Sequence, residues 1–296
     1  MKNKAICFLS ILFMATFETG FAQTLDVYVS AHPDDWQLFM NPNAYNSVKT
    51  EKTNVIFLHT TAGDAGAGTG NNSYYLAREE GSLRAIRFMQ NIFYNGNGLG
   101  TDMASEKELV NGKTLQKMTY ANTETYFLRL PDGNYYGNGY PVHDSTSIKK
   151  LVEGNIKSIK AIDGSASYSS LSDLKATIKE LIGKASEGKT ALNLHIAETD
   201  TIANPDDHSD HRFTSILMQQ VAKELPVNAI YYYEEYATNK KPYNIFDTGF
   251  LVSAGTWAAT GSGLGDMGHP STWDEVHNSW IGRQYYRVEI LVKDDE

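Results

Sequence analysis

Near-continuous apolar runs of strand-forming residues recur along this chain, and amphipathic helical stretches separate them. The runs are "LDVYVSA" (Leu25–Ala31), "NVIFLHT" (Asn54–Thr60), "ALNLHIA" (Ala191–Ala197) and "AIYYYEEYA" (Ala229–Ala237). Runs without alternation suit strands covered on both faces, as in a parallel sheet. Between them, residues 73–93 place Leu76, Leu83, Ile86 and Met89 at helical spacing. Residues 171–185 do so with Leu174, Ile178 and Ile182, and residues 211–225 with Phe213, Leu217 and Val221. The alternation predicts an α/β fold, a Rossmann-like three-layer sandwich with a mainly parallel sheet. Two regions fit less well. Residues 114–130 hold one strand or two. Residues 238–282, rich in Gly, Asn, Trp and Pro, read as long loops, an irregular Gly/Trp-rich C-terminal extension. With no repeat and no linker, residues 23–296 form one domain.

Residues 1–22 read as a signal peptide. Lys2 and Lys4 precede the apolar run "AICFLSILFMATF", and the small residues Gly20 and Ala22 place cleavage after Ala22. An uncleaved anchor is the alternative. No second run of spanning length follows, so the expectation is a secreted or periplasmic protein with no stable membrane insertion after cleavage. The only cysteine, Cys7, lies in that segment, which leaves no disulfide and no thiolate ligand beyond it. A formal charge of −9 disfavours nucleic acid and anionic lipid as partners. A small molecule or glycan remains the expected partner. Oligomeric state leaves no mark in the sequence.

In open α/β sheets, ligands bind beyond the carboxyl ends of the strands. There the first strand runs into "HPDD", His32 to Asp35. If a helix starts at Pro33, His32 and Asp35 are three apart and face the same way, and Asp34 points elsewhere. That gives two metal ligands and one carboxylate free for acid–base work. A catalytic zinc takes three protein ligands plus water. The remainder is on offer in "NPDDHSDHRF" (Asn204–Phe213), which follows the 191–197 strand and opens a helix with His208 and His211 three apart. The plainer alternative makes Asp206, Asp207 and Asp210 N-cap and first-turn acids. Two such clusters at one edge of a sheet weigh towards a metal site. "GDAGAGTG" (Gly63–Gly70) lacks the Lys-Ser/Thr of a P-loop and reads as a loop beside the site. His195, inside a strand, reads as a core histidine, and His269 as a loop residue.

"AHPDD" after a first strand with "HSDH" opening a later helix resembles the PIG-L/LmbE-type deacetylases, zinc-dependent amidases acting on N-acetylglucosaminyl compounds. The resemblance extends to "TTAGDAG", the Arg/Glu-rich helix at Arg78–Glu80 and "LRLPDG" (Leu128–Gly133), and spans about residues 25–235. It implies His32, Asp35 and His211 as metal ligands and Asp34 as general base. It makes His208, protonated, the stabiliser of the oxyanion, and Asp210 the carboxylate that orients a histidine. Asp132 and Arg78 fall among substrate-contacting positions, and "VHNSW" (Val276–Trp280) is similar to a stretch that would bring His277 to substrate. The chain departs from the pattern at Trp36, where the family usually has Glu; an aromatic face entering the pocket wall is the expectation. Gly81 likewise stands where the helix pattern would place Glu.

These expectations describe the N-deacetylation of an N-acetylglucosamine-containing glycan or glycoconjugate with zinc, or another divalent transition ion, as cofactor. The alternatives are another metal-dependent amidase or esterase, or a non-catalytic carbohydrate-binding protein with a vestigial metal site.

Overall fold

The computed structural model describes residues 23–70, 73–94 and 102–291; the expected signal peptide, with Cys7, lies outside them. The chain begins with β1 (Thr24–Ser30), α1 (Asp35–Phe39), α2 (Asn43–Val48), β2 (Thr53–Thr61) and α3 (Tyr74–Phe93). The strands β3 (Ala104–Val110), β4 (Lys113–Tyr120) and β5 (Thr123–Leu130) follow, then α4 (Ile148–Val152), the short pair β6 (Ile159–Lys160) and β7 (Ser167–Tyr168), and α5 (Leu171–Ser186). Last come β8 (Ala191–Ala197), α6 (Ser209–Ala222), β9 (Ala229–Glu234), α7 (Asp247–Asp266), α8 (Glu275–Asn278) and β10 (Tyr285–Ile290).

The main sheet has eight strands in the order β10-β9-β8-β1-β2-β5-β4-β3. Its five central strands are parallel, and β10, β4 and β3 pair antiparallel at the edges. The predicted fold class is thus the observed one. Residues 114–130 resolve into two strands, β4 and β5, joined by a tight turn.

Period-two alternation sorts the central strands between two cores. Leu25, Val27 and Val29 of β1 with Ile56 and Leu58 of β2 pack under α5 and α6, against Leu174, Ile178, Leu217 and Val221. Tyr28, Val55 and Phe57 face the other way and pack with Trp36, Ala85, Ile86 and Met89. Helices therefore cover both faces of the sheet. Among the described residues no helix is long and apolar enough to cross a membrane.

The expectation of an irregular C-terminal extension is corrected by α7, a helix of 20 residues. Five glycines in it (249, 255, 261, 263 and 265) argue against a helix on propensity alone. Tertiary packing overrides that argument, because α7 lies along α3 at very short range. A Cβ on Gly263 would come within 2.6 Å of the Gly81 backbone, and one on Gly81 within 2.8 Å of the Thr260 carbonyl oxygen. Gly81, the departure noted in the helix pattern, is where α7 seats.

Candidate active site

The carboxyl ends of β1 and β8 bring the two clusters together. His32 follows β1 in a turn, and α1 starts only at Asp35, two residues later than Pro33 would allow. Side-chain chemistry closes the turn: Asp35 Oδ2 accepts the backbone N–H of His32 at 2.6 Å. That bond turns Asp35 Oδ1 towards the His32 ring, 3.2 Å from Nδ1. His211, in the first turn of α6, completes the group: its Nε2 is 3.2 Å from His32 Nδ1 and 3.3 Å from Asp35 Oδ1. The three atoms form a near-equilateral triangle. Three ligands about 2.0–2.1 Å from a tetrahedral ion stand roughly 3.3–3.4 Å apart. All three residues are buried. The arrangement fits one divalent ion.

Tautomers support this set. His211 Nδ1 lies 2.9 Å from Asp207 Oδ1 and 2.5 Å from Glu235 Oε2, so its proton sits there and Nε2 is left free to ligate. His32 Nε2 faces Asp210 Oδ2 at 3.5 Å, which leaves its Nδ1 for a metal. Asp210 is held in turn by the backbone N–H of Gly133 at 2.7 Å. A Cβ on Gly133 would lie 2.4 Å from Asp210 Oδ1, which is why "PDG" ends in glycine.

His208 also gathers with His32 and His211, their ring nitrogens within 4.8 Å of one another. It differs in tautomer. It is the N-cap of α6, its Nδ1 accepting the backbone N–H of Asp210 at 3.1 Å. The proton of the neutral ring therefore sits on Nε2, which makes that atom a donor and not a ligand. A protonated His208 is corrected here: burial pushes its pKa far down, and the His32 and His211 rings add to that. The cap expectation changes too, because a histidine caps α6 while Asp207 turns to His211.

Asp34 faces away from the triangle. Its carboxylate is clamped by Arg78, Nε to Oδ2 at 3.0 Å and Nη2 to Oδ1. Arg78 Nη1 also donates to the Gly63 carbonyl at 2.5 Å. Gly63 has φ +57°, and a Cβ there would sit 2.3 Å from Arg78 Nη1. Arg78, expected at the substrate, instead positions Asp34. The Gly-rich turn makes room for it.

Charge in the cluster is set by opposition. Burial pushes the His32 imidazole down, but Asp35 and Asp210 outweigh it and lift the pKa to about 10. Burial also opposes a charge on His211, yet Asp35, Glu235 and Asp207 hold it well above the ordinary value. Desolvation lifts Glu235 to about 7 against the pull of His211.

The other expected residues divide. Asp132 joins His32, His208 and Asp210, and it accepts the backbone N–H groups of Ala65 and Asn134. Trp36 does not enter a pocket wall. It is fully buried against Phe57, and its Nε1–H donates to Ser82, which also contacts His59. His277 stays apart, stacked on Trp257 and paired with Asp274. His195 is a buried strand residue, as expected. Glu235 went unread. The available signal was a second glutamate directly after the run "AIYYYE", just past the carboxyl end of β9.

A cavity of about 240 Å³, bordered by Tyr135, Tyr136, Asp207 and Ser209, adjoins the cluster. A larger apolar cavity of about 770 Å³ lies against α7, and none of its lining residues belongs to the cluster.

The sequence profile of the family described as PIG-L, GlcNAc-PI de-N-acetylase, matches residues 27–222. No curated protein matches the sequence. Among solved structures, an N,N'-diacetylchitobiose deacetylase from Pyrococcus horikoshii aligns over 88% of this chain and 71% of its own, at 13% identity and a TM-score of 0.44. GalB, a 4-carboxy-2-hydroxymuconate hydratase from Pseudomonas putida KT2440, aligns over 87% of this chain and 82% of its own, at 11% identity and a TM-score of 0.40.

Proposed function

Because this chain belongs to the PIG-L, GlcNAc-PI de-N-acetylase, family, we propose that it hydrolyses the acetamide of an N-acetylglucosamine-containing glycan or glycoconjugate. The observation that carries this reading is a division of labour among the acids. Asp35 lies in the triangle with His32 and His211, while Asp34 is held outside it by Arg78. A metal site that served binding alone would have no use for the second carboxylate.

His32, Asp35 and His211 would hold zinc or another divalent transition ion. Such an ion supplies Lewis acidity and brings the pKa of a water towards neutrality. Asp34 takes the water proton and passes it to the leaving nitrogen, with Arg78 fixing the direction of its oxygens. His208 donates Nε2–H to the carbonyl oxygen as negative charge builds there. Asp210, Asp207 and Glu235 keep the ring protons of His32 and His211 on the far side of each imidazole. Water adds to the acyl carbon, the C–N bond breaks, and acetate and a free amino sugar leave. The proposed setting is secreted or periplasmic, from the character of residues 1–22.

The test pairs metal analysis with acetate release from N-acetylglucosamine oligosaccharides. About one divalent ion per chain is expected, with activity lost on chelation and restored by zinc. Full activity in metal-free protein would end the mechanism. Bound metal without acetate release from these sugars would move the reading to another amide, an ester or a binding protein.

A further inference from the structure

A second polar cavity lies on the α2 face of the sheet, away from the cluster. It measures about 300 Å³ and borders on Asp26, Asn46, Asn193, Tyr231 and Tyr286. Asp26 and His32 are six residues apart along β1 and its turn, roughly 20 Å at the rise of a strand. The two sites are therefore separate.

The feature that needs explaining is Asp26. Its carboxylate is buried but keeps 11% of its side-chain surface. Its hydrogen-bond partners are neutral: Ser47 Oγ donates to Oδ2 at 2.5 Å, and Asn193 Nδ2 to Oδ1 at 2.9 Å. No lysine or arginine among the described residues pairs with it. His195 Nε2 is 3.9 Å from Oδ1, too far for a hydrogen bond, and has no other partner. Tyr233 Oη accepts from Asn43 and contacts His195 Nδ1 at 2.8 Å. Burial pushes the imidazole down against the pull of Asp26. Burial also opposes the charge on Asp26, but His195, Ser47 and Asn193 hold its carboxyl below the usual range. A buried carboxylate that no lysine or arginine pairs with is costly to ionise unless a cation arrives.

Aromatic rings wall the space in front of it. Tyr286, on the edge strand β10, is 45% exposed, 5.9 Å from the Tyr231 ring and 5.3 Å from the Tyr233 ring. Aromatic faces attract ammonium groups and also suit the apolar face of a sugar ring. Asn46 adds an exposed amide for hydroxyl groups. A negative charge, aromatic faces and amides together exclude an anion and favour a hydroxylated ring that carries an ammonium.

We infer that this cavity is a second binding site, for the ammonium-bearing ring of a deacetylated amino sugar, with Asp26 taking the ammonium and Tyr286 the ring face. The inference rests on the proposed function only in naming the ligand, since the amino sugar is the product of that reaction. An oligosaccharide already deacetylated at one ring would then be held by that ring, apart from the ring under attack.

The test is calorimetric binding to the full chain carrying Asp34→Asn, with glucosamine tetramer and N-acetylglucosamine tetramer as probes. Glucosamine tetramer is expected to bind and to weaken at least tenfold with Tyr286→Ala added and with Asp26→Asn added. N-acetylglucosamine tetramer is expected to be indifferent to Tyr286→Ala. Tyr286 is a half-exposed edge residue, so that variant stays informative if Asp26→Asn fails to fold. Glucosamine tetramer that does not bind, or binds unchanged to the Tyr286→Ala protein, overturns the site. Equal losses for both tetramers overturn ammonium recognition. Acetate release by the wild-type chain is measured in parallel. If it is absent while glucosamine tetramer binds through Tyr286, the proposed function fails and this inference stands.

Discussion

Asp34 and Asp35 are adjacent and chemically identical, yet the fold gives them opposite partners, Arg78 for one and two imidazoles for the other. Asp35→Ala is therefore expected to lose metal and turnover together. Asp34→Asn keeps the shape but cannot accept a proton, so it retains metal and loses about 10²–10⁴-fold in turnover. Metal content and acetate release, measured on both variants side by side, decide this; a metal-free Asp34→Asn protein would reverse the roles. His208→Ala removes an Nε2–H donor and is expected to cost about 10²–10³-fold in kcat with metal content unchanged. If metal is lost instead, His208 is a ligand. The raised pKa of His32 gives a pH dependence with a definite sign. In the metal-free protein its folded value of about 10 lies above the ordinary histidine value, so its proton stabilises the fold at low pH, and that contribution is lost as pH rises through about 10. A metal must displace that proton. Zinc affinity is expected to rise with pH between 6 and 8, by about tenfold per unit for each proton released. Competition with a chelator at several pH values measures it, and a flat profile would mean that the rings bind metal without giving up protons.

At the scale of elements, the α3–α7 contact turns on glycine. A methyl on Gly263 meets the backbone of Gly81 at 2.6 Å, where no side chain can yield. Gly263→Ala is expected to destabilise by about 1–3 kcal/mol through overpacking. Gly265 is exposed, two residues on in the same helix, with nothing near its Cβ position. Gly265→Ala should therefore be neutral or stabilise by up to about 1 kcal/mol, as helix propensity dictates. Thermal melts of the two variants test the pair; equal losses would refute the close-approach account. The same contact explains why α7 escaped a reading of the sequence. Glycine lowers local helix propensity, and only a helix pressed against another repays it.

For the whole molecule, the candidate metal ties the turn after β1 and the start of α1 to the first turn of α6. An ion that binds the folded chain alone stabilises it by about 3 kcal/mol at a hundredfold excess over its Kd. Chelation is expected to lower Tm by several degrees, and Asp35→Ala to melt like the metal-free protein with or without zinc. An unchanged Tm on chelation would leave the cluster without a structural ion.

The sequence determined the layer order and the edge at which chemistry gathers. Apolar periodicity is local, and strand ends followed by His and Asp are visible without coordinates. It also pointed to Asp35 over Asp34, although the helical start at Pro33 behind that expectation does not form and the bond from the His32 N–H is what returns Asp35 to His32. The tertiary structure alone decided what is remote in the chain. Arg78 reaches Asp34 across 44 residues and His211 reaches His32 across 179, while Trp36 turns inward to Ser82. The protonation of His208 was likewise beyond the sequence, because it depends on burial and on a cap that exists only once α6 has formed. Local pattern fixes where a side chain starts; which charge or proton it meets depends on neighbours that only folding supplies.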